Sequence, residues 1–157
     1  MYLLKRVNVW TRNHLTRVVK MPKLQFIDSG LLATLLDLTA EEAQKDKTRF
    51  GHALETFVYA ELLKHASTAE GDYELMHYRD ADKVEVDVVV ENAAGQVVGV
   101  EIKSSATVKE SDLRGLRKLA GLAGADFKMG VLLYDGDQIL PLGHNIWAAP
   151  LSTLWGK

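Results

Sequence analysis

The chain contains no cysteine. That excludes a disulfide framework and any thiolate metal site, and it suits a reducing, cytoplasmic compartment. It also has no apolar run approaching the ~20 residues that span a bilayer, so a membrane is not expected among its partners. Lys5, Arg6 and Asn8 interrupt the first apolar residues, and no signal peptide is predicted there. No G-x-x-x-x-G-K-[ST] occurs, so ATP has no P-loop to bind within this chain. No G-x-S-x-G occurs, which leaves serine-hydrolase chemistry without support. The five histidines, His14, His52, His65, His77 and His144, show no His-x-x-x-His or other metal spacing. Acid is missing from one end. The first 27 residues hold Lys5, Arg6, Arg12, Arg17, Lys20 and Lys23 with no acid, a charge of +6, whereas the remainder holds 13 basic and 21 acidic residues and is −8. Such asymmetry points either to phosphate contact by the basic end or to its packing on an acidic body or partner. Arg12, Arg17, Lys20 and Lys23 are the candidate nucleic-acid contacts within it.

What is present is ordinary for a soluble domain of 157 residues, 47% apolar and 25% charged, and is enough to bury a core. Residues 1–49 read as a small basic N-terminal segment of short strands or a broken strand-turn unit. In it, "DSGLLATLLDLT" has leucines at helical spacing and Asp28 or Ser29 as N-cap. The polar "EEAQKDKTR" reads as an exposed connector, which places a boundary near Arg49. Residues 50–157 form the main domain. "GHALETFVYAELLKHA" is a helix with Leu54, Phe57, Val58 and Leu62 as its apolar stripe. "YELMHYR", "VEVDVVVE" and "QVVGVEIKS" are three strands. "SDLRGLRKLAGLAG" is a second helix, with Ser111 as cap, Leu113, Leu116 and Leu119 as buried face and Gly124 as stop. "FKMGVLLYDGDQILPLG" reads as a strand, a turn at Asp135-Gly136-Asp137 and a return, and "NIWAAPLSTLW" closes the chain. A hairpin followed by a strand-helix-strand crossover predicts an α/β fold, a mixed central sheet flanked by helices.

The hairpin carries the chemistry. Residues i and i+2 of a strand share a face, so Glu101 and Lys103 point together. If "AAG" (93–95) is the loop, Asn92 pairs with Gln96 and Asp87 falls opposite Glu101, with Cβ atoms about 4.5–5.5 Å apart. A loop one residue shorter or longer instead sets Asp87 against Ile102. Two carboxylates that close repel each other, and burial raises a pKa. A divalent cation relieves this, because Mg²⁺ or Mn²⁺ takes hard oxygen ligands. Lys103 then serves to hold an attacking water or to stabilise phosphate charge. The competing reading is a Glu-Lys-Asp salt-bridge cluster on a solvated face. Glu85 is open to both, as a further ligand or an ion-pair partner. Arg114, Arg117 and Lys118 lie three and four apart on one side of the second helix, and Arg79 ends a strand near the acids. These four either contact a phosphate backbone or form a solvated face.

Asp87 followed by "Glu101-Ile102-Lys103" on the next strand resembles the PD-(D/E)XK signature of restriction-endonuclease-like nucleases. In many of these a preceding helix adds a glutamate to the metal site, and Glu55 in "GHALETFVYAEL" matches that position. "MPKLQFIDSGLL", "GHALETFVYAEL", "HYRDADKVEVDVVVE" and "VVGVEIKSSATVKESDLRGLRKLA", in that order, resemble the C-terminal domain of bacterial and archaeal AAA-type ATPases, a domain with no assigned function. The likeness runs from about residue 3 to Trp155. It implies a restriction-endonuclease-like fold, Mg or Mn held by Asp87, Glu101 and Glu55, and catalysis by these three with Lys103. It further implies a partner ATPase domain N-terminal to this region and a winged-helix-like origin for residues 1–49. The signature's proline is replaced, since Val86 precedes Asp87. The expected function is Mg-dependent phosphodiester hydrolysis of DNA or RNA. The alternatives are a catalytically inactive interaction or nucleic-acid-binding module of an ATPase, and a homodimer formed over surface that the ATPase otherwise covers.

Overall fold

The computed structural model describes residues 3–13 and 21–156 of the chain. Strand β1 (Leu4–Val7) and strand β2 (Lys23–Phe26) form an antiparallel ribbon in which Leu4 faces Phe26 and Val7 faces Lys23. Helix α1 (Ser29–Leu35) follows, and the Asp28 carboxylate accepts the Leu31 N–H at 2.9 Å, the N-cap that the sequence predicts. The polar stretch after it is not a loose connector. Thr39 caps a short helix α2 (Ala40–Lys45), and Asp46 accepts the N–H groups of Thr48 and Arg49 at 3.0 Å to start α3 (Lys47–Thr68). Two caps seven residues apart, with Lys45 on Glu41 at 2.7 Å, hold helical backbone that has no core to bury.

A six-stranded mixed sheet forms the body. Its strands are β3 (Tyr73–Arg79), β4 (Glu85–Asn92), β5 (Val97–Ile102), β6 (Phe127–Tyr134), β7 (Leu140–Pro141) and β8 (Ile146–Pro150), in the spatial order β3-β4-β5-β6-β8-β7. The β3-β4-β5 meander is antiparallel, β6 is parallel to β5, and β8 is parallel to β6. The segment after Asp135-Gly136-Asp137 does return, but it does not pair with β6. The final apolar stretch inserts as β8 between them, and β7 pairs with its outer side. Ile146 and Ala148 are fully buried and belong in mid-sheet, whereas Pro141 lacks an N–H and belongs on an edge.

Helices cover both faces. Leu54, Val58 and Tyr59 of α3 meet Leu75, Val88, Val100, Ile102 and Leu133 on one side. On the other, α4 (Arg114–Ala123) lays Leu116, Leu119 and Ala123 over Val86, Val89, Val97, Leu132 and Ile146. A 3₁₀ turn (Glu110–Leu113) leads into α4, and its start is secured by Asp112, which accepts the Lys109 N–H at 2.9 Å. Ser111 is not the cap, because the helix begins one turn later than its leucine spacing implies. Gly124, at φ 60°, ends α4 as expected. The basic segment joins the body at several points. Trp10 N–H donates to the His77 carbonyl at 2.7 Å and His77 N–H to the Asn8 carbonyl at 3.0 Å, so Val9 runs parallel beside β3. Trp10 Nε1 donates to Glu91 at 2.6 Å in the interior, and Gln25 donates to Thr56 of α3 at 2.8 Å. Among the described residues, no helix is long and apolar enough to cross a membrane.

The seat of α4 is set by glycine. A Cβ on Gly115 would stand 1.9 Å from the Glu85 carbonyl oxygen, so only glycine lets the first turn of α4 approach β4 this closely. Gly115→Ala is expected to lower stability by about 1–3 kcal/mol through overpacking. Gly121 lies in the same helix with nothing within 4 Å of its would-be Cβ. Gly121→Ala should instead raise stability by about 0.5–1 kcal/mol. Denaturant melts of the two variants check the pair, and equal effects would contradict this packing.

Candidate functional site

The β4-β5 hairpin has the register that a three-residue loop demands. Asn92 N–H donates to the Gln96 carbonyl at 3.1 Å, Gly95 N–H returns to the Asn92 carbonyl at 2.9 Å, and Gly95 takes a φ of 76°. The Asn92 side chain accepts from the Ala94 and Gln96 N–H groups and locks the turn. Val88 then pairs with Val100 and Val90 with Val98. One step further, the same register sets Asp87 against Glu101. The backbone ladder stops there, and the Ile102 N–H donates at 2.9 Å to the Asp87 carboxylate.

On its other side β4 carries an irregularity. Met76 pairs with Val89 but Tyr78 with Val86, so Asp87 and Val88 together oppose the single residue His77. A bulge of this kind re-aims a side chain. It keeps Val86 and Val89 both on the α4 side and leaves Asp87 at the strand end, reaching toward β5.

Glu101 is 8% exposed. One of its oxygens lies 3.0 Å from Lys103 Nζ, and the other, Oε2, is buried with no hydrogen-bond partner. Lys103 is held at the strand end by its own N–H, which donates to the Leu133 carbonyl of β6 at 2.8 Å. Burial pushes the Glu101 carboxyl upward, and the negative charge of Asp87 adds to it. Asp87 is raised by burial and then by Glu55, against the opposing pull of the Ile102 N–H. Burial works against the Lys103 ammonium, yet the charge and hydrogen bond of Glu101 outweigh it, and its pKa is raised overall.

Asp87, Glu101 and Lys103 line one cleft of about 290 Å³, closed on the helix side by Ser111, Asp112 and Arg114. Glu55 is not in that cleft. It enters from α3 on the far side of Asp87, where Lys23 Nζ lies 3.3 Å from it, in a second cavity that also has Asp87 as a wall. Among the described residues, no three His, Asp or Glu side chains stand close enough to hold an ion by themselves. The arrangement is therefore a two-carboxylate pair with open positions. An orphaned buried oxygen on Glu101 beside a second raised carboxylate suits a hard divalent cation such as Mg²⁺ or Mn²⁺, which keeps several waters.

Most of the candidate cations are already engaged. Arg12 donates to the Leu122 carbonyl at 2.9 Å and so satisfies the C-terminus of α4. Lys23 pairs with Glu55, Arg79 with Glu85 at 2.9 Å, Arg117 with Glu110, and Lys118 with Asp80 and Asp82. Arg114 stands in the cleft wall and forms no ion pair among the described residues. Arg17, Lys20 and His14 lie outside the described residues. Sequence reasoning missed His77, whose Nε2 is buried without a partner and whose pKa is lowered to about 4 by burial, aided by Lys23 and Arg79. No spacing signal points to it, since its neighbours come from four separate elements.

Fold and site together define a mixed α/β domain with a buried carboxylate pair and a lysine at the ends of two central strands. Residues 50–154 match the family described as a domain of unknown function, DUF4143, and the chain belongs to that family. Residues 1–42 match a second domain of unknown function, DUF8612. The chain is 26% identical over 152 residues to uncharacterized proteins of Mycobacterium bovis and Mycobacterium tuberculosis, covering 97% of this chain and 32% of each of theirs. It thus spans about a third of the length of these curated relatives. No solved structure matches it.

The carboxylate pair has a consequence for stability. Raised folded-state pKa values mean that the folded protein holds these protons more tightly than the unfolded chain does. The cost of burying the two charges, with their repulsion added, is therefore absent below the unfolded values near about 4 and grows as pH rises toward the folded values. Without metal, the protein is expected to lose stability on this account from pH ~4 toward neutrality. Asp87→Asn can still accept the Ile102 N–H, and it should flatten that slope and melt about 2–4 °C higher at neutral pH, for about 1 kcal/mol of relieved repulsion. A simple salt-bridge role for Asp87 requires the opposite sign, and thermal melts in EDTA across pH decide.

Proposed function

We propose that this domain hydrolyses phosphodiester bonds in DNA or RNA with a divalent metal, on a restriction-endonuclease-like fold of the PD-(D/E)XK kind. One observation carries the reading: Asp87 and Glu101 oppose each other at the end of their ladder, with a buried, unpartnered Glu101 oxygen and Lys103 one pleat on. Asp87 and Glu101 would hold Mg²⁺ or Mn²⁺. When bound, such an ion supplies charge stabilisation at the scissile phosphate and a more acidic water.

The chain's own residues supply orientation. Asp87 is fixed by the Ile102 N–H, so its carboxylate cannot swing out of the cleft. Lys103 is an ammonium in this setting, since Glu101 raises its pKa. It therefore acts by donating hydrogen bonds, to orient the attacking water and to stabilise charge on the phosphate, not by taking a proton. Arg114 approaches from α4 to meet a substrate phosphate. Glu55 acts through its field on Asp87, and it joins the metal set only where Lys23 releases it.

The AAA-type ATPase as partner and cytoplasmic placement belong to the same proposal, and a homodimer is the alternative where the ATPase is absent. The matched span is 32% of the mycobacterial proteins, which leaves room in them for a further domain. A second reading, a non-catalytic interaction module, is favoured by the closed Lys103–Glu101 and Lys23–Glu55 pairs, at 3.0 and 3.3 Å.

Lys103→Ala separates the two. Its side chain is 36% exposed, so folding should survive. Cleavage of nucleic acid with Mn²⁺ is expected to fall by about 10²–10³-fold, as for loss of one charge-stabilising donor. A parent protein that binds no Mn²⁺ by calorimetry and cuts neither DNA nor RNA leaves the interaction module standing.

A further inference from the structure

The second cavity, beside the cleft, has no role so far. It measures about 550 Å³ and lies between Pro22 and Lys23 at the entry to β2, His52 and Glu55 of α3, and His77 and Arg79 of β3. Asp87 is a wall of both spaces. A polymer whose scissile phosphate sits at Asp87 therefore has its neighbouring unit at the mouth of this cavity.

We propose that the cavity receives one unpaired nucleobase next to the scissile phosphate, so that the domain acts on single strands or frayed ends and not on intact duplex. This rests on the phosphodiesterase reading. The volume suits one base with its sugar, and a base still paired and stacked in a duplex cannot enter a concave space of that size.

Charge argues for a base and against a phosphate. Lys23 is met by Glu55 at 3.3 Å and Arg79 by Glu85 at 2.9 Å, and Asp87 adds a further acid. Among the described residues that line the cavity, no positive charge is left over for an anion. The recognising group is His77, nine-tenths buried, with Nε2 lacking a hydrogen-bond partner. An imidazole nitrogen without a partner is open to one hydrogen bond with the edge of a base. Met21, 88% exposed at the mouth, and Pro22 offer apolar surface against the flat face of a base.

The test uses the full chain, a DNA single strand of about ten nucleotides and the blunt duplex of the same sequence. Binding is measured in EDTA at matched salt, so that no cleavage is required. The single strand is expected to bind about tenfold more tightly than the duplex, the scale of one stacked base. Its addition should move the His77 ring C–H signals in NMR. His52→Trp, which fills the cavity from the exposed face of α3, and Met21→Ala, which removes apolar surface at its mouth, should each remove most of that preference. Equal or tighter duplex binding overturns the proposal, as do His77 signals that stay still with both variants binding like the parent. With Mn²⁺, a duplex cut as fast as the single strand overturns the proposal and leaves the hydrolase reading intact. No cleavage of either substrate, with the single-strand preference and the His77 shift retained, supports the nucleobase cavity and overturns the hydrolase reading.

Discussion

The β4-β5 ladder gives out one residue before its sheet does, and the site depends on that. Ile102 needs an acceptor for its N–H, and the acceptor is the carboxylate of Asp87 at 2.9 Å. A buried N–H left unmatched is costly, so the bond holds Asp87 opposite Glu101 although the two charges repel. The backbone thereby fixes a geometry that the side chains alone would avoid. Glu101 answers partly through Lys103, which satisfies one of its oxygens and leaves the other without a partner. The proposed cation would reconcile the two acids.

The surrounding fold serves that constraint. Gly115 lets α4 press its first turn onto β4 beside the acids, and the bulge opposite His77 turns Asp87 toward β5. The N-terminal ribbon then adds Lys23 from outside the main family match, which begins at residue 50. The two matched segments share walls of a single cavity. Lys23 packs there on Glu55 of the body, and Arg12 meets the last carbonyls of α4.

Legibility followed the range of the forces involved. The register of the hairpin was readable because "AAG" between Asn92 and Gln96 is a local turn with local hydrogen bonds. The α1 cap at Asp28 and the α4 stop at Gly124 were readable for the same reason. Part of what escaped was decided at long range, and part by local turns and caps. The place of β7 outside β8 depends on which strand competes better for the side of β6. Ser111 failed as a cap because a 3₁₀ turn came first, and helical α2 was hidden in a polar run that only its two caps explain. The grip of Lys23 on Glu55 joins residues 32 positions apart, and nothing in either neighbourhood announces it.

A structure of the protein with Mn²⁺ bears most directly on the pair of acids. The account predicts one anomalous scattering peak within about 2.0–2.6 Å of oxygens from both Asp87 and Glu101. The Ile102 N–H should remain on Asp87 in that structure. A cleft without a peak at saturating Mn²⁺, with Glu101 still paired to Lys103 and its second oxygen still alone, would contradict it.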